Sequence, residues 1–209
     1  MNDFLLSFIL GLVQGLTEFL PISSSAHLLL PTMLFGSNDL GLYFDISVHA
    51  GTLVAVIYYF RSEIYLMIKS MVPNNKDLKI YRNLSLKLIV ATLPIVVTGL
   101  FFKDLIEERI FSIDSIAISN LFFAAILLLA FLRNKSEKEI HSITLLAALF
   151  IGIFQSFALM PGASRSGTAI TAALLIGLNL KDASKFAFML GIPTIFGALI
   201  LLIIDIQSK

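Results

Sequence analysis

Gln14-Gly-Leu-Thr-Glu-Phe-Leu-Pro-Ile-Ser-Ser-Ser-Ala-His27 lies between two apolar runs, residues 4–13 and 28–35. Neither run alone can cross a bilayer, which takes about 20 apolar residues in a helix. Between them stand a carboxylate, a proline, three serines and a histidine. At membrane depth such groups cannot face lipid, and each costs several kcal/mol unless protein or a wet cavity receives it. A second interruption of the same kind follows far downstream, Gln155-Ser-Phe-Ala-Leu-Met-Pro-Gly-Ala-Ser-Arg-Ser-Gly-Thr168. Two broken apolar elements, rather than a row of simple spans, therefore decide the fold.

The rest of the chain fits that frame. It has 209 residues, 57% apolar and 14% charged, where a soluble domain carries about 25% charge. An all-α polytopic membrane protein is expected. No basic residue precedes the apolar run that starts at residue 4, so no signal peptide is read there. The absence of cysteine excludes disulfides, thiolate zinc sites and thiol nucleophiles. A net charge of +1 says nothing about partners, and no nucleic acid is expected.

Residues 43–60, 84–102, 113–132 and 186–204 read as full spans, with Pro94 as a kink in the second. Residues 61–82 form a polar connector, with a short interfacial helix over 64–71. Residues 142–159 and 169–178 read as half-helices around the second break, followed by a polar turn at 181–185. Lys and Arg are absent before residue 61 and crowd into 61–87, 133–138 and 181–185. If the broken elements are re-entrant, these three segments share one face and give it eleven basic residues, against three opposite. The positive-inside rule makes that face cytoplasmic, so the N-terminus is expected outside, with the first break entering from outside.

The two breaks also align. Gly11-Leu-Val-Gln14 matches Gly152-Ile-Phe-Gln155, and Pro21 and Ser24 match Pro161 and Ser164 after a one-residue gap. Phe44-Asp-Ile-Ser-Val-His-Ala-Gly-Thr52 matches Phe186-Ala-Phe-Met-Leu-Gly-Ile-Pro-Thr194. The chain then reads as one membrane domain, 1–209, with copy one over about 1–133 and an incomplete copy two over about 142–209. Three spans between the breaks make the copies enter from opposite faces. Such inverted repeats bring their broken helices together near the midplane.

Chemistry concentrates at the breaks. Gln14 and Glu18 are four apart, on one helix face. A carboxylate there can hold a divalent cation, relay a proton or activate a nucleophile, or it is only a helix-end group in interfacial water. Among Ser23, Ser24 and Ser25, one is expected to cap the next half-helix, and the hydroxyls with free N–H groups would form an anion pocket. His27 in the first turn reads as an acid/base group. Arg165 carries a fork suited to phosphate, flanked by Ser164, Ser166 and Thr168. His49 and Asp45, four apart at the start of a span, are either supporting groups of this site or interfacial. His141 is expected in solvent.

Both signatures resemble those of the undecaprenyl-diphosphate phosphatase family of the bacitracin-resistance type, from about residue 3 to residue 200. The resemblance implies removal of the terminal phosphate from a polyprenyl diphosphate, recycling a lipid carrier for envelope synthesis. It implies a divalent cation, Mg²⁺ or Ca²⁺, on Glu18 and Gln14, and a site opening outward from the plasma membrane. By match, Glu18, His27, Arg165 and Ser24 are the catalytic candidates. Ser23, Ser25, Ser164, Ser166 and Thr168 are the phosphate-binding ones. Gln14 stands where many members have Glu, Ala26 where Gly is usual, and Thr168 one residue before the usual Thr. Members continue for about two further spans, so the chain reads either as a natural short form or as one whose C-terminal part is missing. A polyprenyl-phosphate flippase and an inactive paralogue are the competing readings, and a homodimer is left open.

Overall fold

The computed structural model describes residues 3–72, 76–108 and 112–208. Arg109 and Lys209, two of the basic residues counted above, lie outside the described residues. The protein is a bundle of helices. Among the described residues there is no strand, only an isolated bridge between Lys138 and Leu178.

Among the described residues, four helices are long and apolar enough to cross a membrane. They are α3 (Gly41–Tyr59), α5 (Lys79–Phe101), α7 (Ile113–Arg133) and α10 (Leu180–Ser208). The broken elements are paired short helices, α1 (Asp3–Thr17) with α2 (Ser24–Phe35), and α8 (Leu145–Ser156) with α9 (Arg165–Leu175). The connector holds α4 (Arg61–Ser70), and α6 (Lys103–Glu107) follows α5.

Several boundaries differ from expectation, α5 starting at Lys79 rather than at residue 84 among them, and two have a clear local cause. Helix α9 begins at Arg165 rather than at residue 169, because Ser164 caps the helix and its Oγ accepts the Gly167 N–H at 3.1 Å. The expected polar turn at 181–185 is the first turn of α10. There Asn179 Oδ1 accepts the Asp182 N–H at 2.9 Å, and Gly177, with φ +92°, takes the reversal.

Small residues let the helices approach closely. A Cβ at Gly152 would lie 2.2 Å from the Ala91 carbonyl oxygen, so only glycine permits this crossing of α5 and α8. Gly11, its partner in the sequence match, has nothing within 4 Å of its Cβ position. Helix α9 is almost wholly buried, from Ser166 to Leu174, among α7, α8 and α10. Helix α2 buries only Ala26, Leu28 and Leu29.

Polar contacts tie each end of the bundle. Lys185 Nζ meets Glu63 Oε1 at 2.9 Å, Lys87 Nζ donates to the His141 carbonyl at 3.0 Å, and Asn179 Nδ2 donates to the Lys138 carbonyl at 2.9 Å. These contacts join the segments rich in Lys and Arg at one end of the bundle. At the other end Lys103 Nζ and Tyr43 Oη both reach Asp205, each at 2.7 Å.

Candidate active site

Glu18 is the centre of the site. Its N–H still bonds the Gln14 carbonyl at 3.0 Å, which keeps both side chains on one face as α1 ends. Gln14 Nε2 donates to Glu18 Oε2 at 2.7 Å. The chain then turns through Pro21 to Ser23, which takes φ +61°, a costly conformation for a residue with a side chain. Ser23 caps α2 through the Ala26 N–H, and the turn delivers Ser24 Oγ to Glu18 Oε2 at 2.7 Å.

The second break supplies the countercharge. Arg165 Nη2 lies 2.6 Å from Glu18 Oε1, joining residues 147 apart in sequence. Both partners are largely buried, Glu18 at 3% and Arg165 at 13% side-chain exposure, so this pair is screened far less than a surface bridge. Ser166 Oγ adds a bond to the Leu20 carbonyl at 3.1 Å. A Cβ on Gly167 would come within 3.3 Å of Pro21 Cβ, so glycine lets the two breaks touch. Gly191 on α10 clears the slot for Arg165. A Cβ there would lie 2.3 Å from Nη1.

These groups face a cavity of about 200 Å³. Glu18, Ser23, Ser24, Ser25, His49, Ser164, Arg165 and Thr194 supply its polar lining, and Ile46, Ile95, Leu159 and Ile195 part of the rest. It continues into an apolar groove of about 450 Å³ through Ile46, Ile95, Leu159, Thr194 and Ala198, and the groove ends at Tyr43, Lys103 and Asp205.

The structure thus gathers Glu18, Ser23, Ser24, Ser25, Ser164 and Arg165 around one space, with Gln14 directly behind Glu18. His27, Ser166 and Thr168 do not line it. His27 Nδ1 rests 2.8 Å from the Ser23 carbonyl, and Thr168 Oγ1 donates to the Arg165 carbonyl at 3.0 Å. His49 does line it, with Nε2 3.3 Å from Glu18 Oε2. Gly191 went unnoticed in the sequence. The available signal was its match to His49, both positions flanking the same charged pair.

A hard divalent cation needs about six to eight oxygens. Among the described residues no three His, Asp or Glu cluster to hold one. The donor set nevertheless fits an ion shared with a ligand. Glu18 offers carboxylate oxygens, and Gln14 Oε1 is buried without a hydrogen-bond partner.

The chain matches the family model described as bacitracin resistance protein BacA over residues 7–209. It is 44% identical to an undecaprenyl-diphosphatase of Alcanivorax borkumensis, over 94% of this chain and 75% of that one. It is 47% identical to an undecaprenyl-diphosphatase of Saccharophagus degradans, over 92% of this chain and 73% of that one.

Proposed function

The chain belongs to the BacA bacitracin-resistance family, and from that premise we infer that it hydrolyses undecaprenyl diphosphate to undecaprenyl phosphate and phosphate, at the cavity between the two breaks. The observation that carries the placement is the Glu18 carboxylate held between Ser24 and Arg165. A hydroxyl 2.7 Å from a carboxylate is the arrangement of a nucleophile with its base. A guanidinium beside it suits the charge that spreads over phosphoryl oxygens in the transition state.

In this reading the terminal phosphate enters the cavity and takes over the Arg165 fork. Arg165 Nη1, buried without a partner, and Nη2 together bind it, and Glu18 is released from its ion pair. Ser24 Oγ attacks phosphorus and its proton passes to Glu18. The bond from phosphorus to the bridging oxygen breaks, and undecaprenyl phosphate leaves. Glu18 passes that proton to the departing oxygen and takes another from the water that attacks the phosphoserine; the bond from phosphorus to Ser24 Oγ breaks, phosphate leaves, and Glu18 returns the proton to Oγ. The N–H groups and hydroxyls at the capped starts of α2 and α9 hold the remaining oxygens. A divalent cation on Glu18 and Gln14 Oε1 would supply further charge neutralisation to the diphosphate. His27 is assigned to bracing the Ser23 turn, since it does not line the cavity.

The prenyl chain is assigned to the apolar groove that continues from the cavity. The paired breaks are taken as re-entrant elements of an inverted repeat. The end rich in Lys and Arg is taken as cytoplasmic, so the groove, running to Lys103 and Asp205, opens outward.

The test is phosphate release from undecaprenyl diphosphate by the purified protein. Loss of a placed acid/base group costs about 10²–10⁴-fold, the effect expected for Glu18→Gln. Arg165→Lys keeps the charge without the fork and also loses most of the rate. Folded variants of both kinds with near wild-type turnover would put the site elsewhere. A flippase has no use for a nucleophile with its base, so binding of the lipid without phosphate release is the outcome that favours a carrier.

A further inference from the structure

We propose that His49 is a positioning residue of this site, holding the Glu18 carboxylate in register with Ser24. The proposal rests on the hydrolytic reading above and adds a residue to it.

His49 lies on α3, outside both breaks. Its ring is fixed from behind, with Nδ1 against the Asp45 carbonyl one turn earlier in the same helix. Nε2 then faces Glu18 Oε2 at 3.3 Å, the oxygen that also accepts the Ser24 hydroxyl. Each ring nitrogen therefore faces an acceptor, and the ring serves Glu18 as a donor.

Turnover gives this contact its purpose. Arg165 holds the opposite oxygen, Oε1. When a phosphate draws the guanidinium away, Glu18 loses its one formally cationic partner on that side and is free to swing after it. Gln14 and His49 are the donors left to keep Oε2 against Ser24. Without His49 the base drifts from the attacking hydroxyl as substrate arrives. The matched position in the second half of the chain is Gly191, which leaves space for the guanidinium. One helix position thus steadies the carboxylate and its counterpart leaves room for the guanidinium.

Two substitutions isolate the donor from the ring. His49→Phe keeps the ring and removes the donor, whereas His49→Gln keeps a donor near the Nε2 position. Phosphate release should fall on the order of 10–100-fold in kcat for His49→Phe, the scale of one hydrogen bond to a charged group. KM should change little, and His49→Gln should recover most of the rate. The second readout needs no turnover. The infrared carboxylate band assigned to Glu18, by its loss in Glu18→Gln, should shift in His49→Phe and stay in His49→Gln. A wild-type protein that releases no phosphate refutes the hydrolytic reading, and the carboxylate band still tests the positioning. An unshifted band in His49→Phe, near wild-type kcat in that variant, or a His49→Gln as impaired as His49→Phe would each overturn the proposal.

Discussion

Substituting Gly191 by Ala should damage catalysis without damaging the fold. The added Cβ would lie 2.3 Å from Arg165 Nη1 and 2.9 Å from both Cζ and Nη2. Ordinary contact begins near 3.4 Å, so the guanidinium must retreat by about 1 Å, and a misplacement of that size can cost about 10²-fold in rate. All three colliding atoms belong to the end of a flexible side chain, so the backbone of α10 need not move. The displaced fork leaves Glu18 Oε1, now 2.6 Å from Nη2, and misses the phosphoryl oxygens. We expect kcat for phosphate release to fall about 100-fold, equivalent to about 2.7 kcal/mol of transition-state stabilisation. The unfolding midpoint in detergent should stay within about 2 °C of wild type. Gly51→Ala on α3, with nothing within 4 Å of its Cβ position and outside both the cavity and the groove, is the control and should be silent. Adding Gly191→Ala to Arg165→Lys should cost little more than Arg165→Lys alone, because the two changes act on one contact. A Gly191→Ala protein within threefold of wild-type kcat would refute the argument that this glycine places the arginine.

The crossing at Gly152 makes the opposite forecast: Gly152→Ala presses on backbone and should lose about 1–3 kcal/mol in denaturant titration, whereas Gly11→Ala should be neutral or gain up to about 1 kcal/mol of helix propensity. Excess chelator should abolish phosphate release, with Gln14→Glu tightening the metal requirement rather than removing it; turnover undiminished in chelator would refute the cation assignment. For orientation, an impermeant thiol reagent on intact cells should label cysteine at Asn38 and not at Lys135, and the reverse pattern would invert the protein in the membrane. Burial opposes the charge on Glu63, but its hydrogen bond to Lys185 outweighs this and lowers the Glu63 pKa below its ordinary value. The pair therefore stabilises the fold above the ordinary glutamate range and is lost as pH falls through the lowered value. At about one-third exposure the effect is at most about 1 kcal/mol, and Glu63→Gln should flatten the acid limb of the stability curve by that amount.

The breaks were legible because polar groups stood where only apolar ones are tolerated. The pattern therefore singles out Glu18, Ser24 and Arg165, which the structure brings to one cavity, and places four spans to within a few residues at most ends. What failed to read out was local capping and distant proximity. Ser164 turns Arg165 into the first residue of a helix, and apolar patterning alone starts that helix later. The two histidines near the first break show the second limit. His27 is nine residues from Glu18 and His49 thirty-one, yet the nearer one turns toward its own Ser23 carbonyl while the farther one reaches the carboxylate. Chain distance does not decide which side chain faces a cavity. Gly191 has no side chain to advertise a role, and its importance exists only where Arg165 occupies the space beside it.

The unequal burial of α2 and α9 has a consequence for how the protein moves. Local opening is easiest where few apolar contacts must break. Arg165 stands on a helix buried from Ser166 to Leu174, so its backbone is a fixed anchor for a side chain that moves. Ser24 opens a helix with three buried residues and a strained Ser23 turn behind it. Adjustment to an incoming diphosphate therefore falls on the serine-bearing half. Amide hydrogens over residues 24–35 should exchange with solvent sooner than those over residues 166–174, and a bound diphosphate should slow the first set far more than the second.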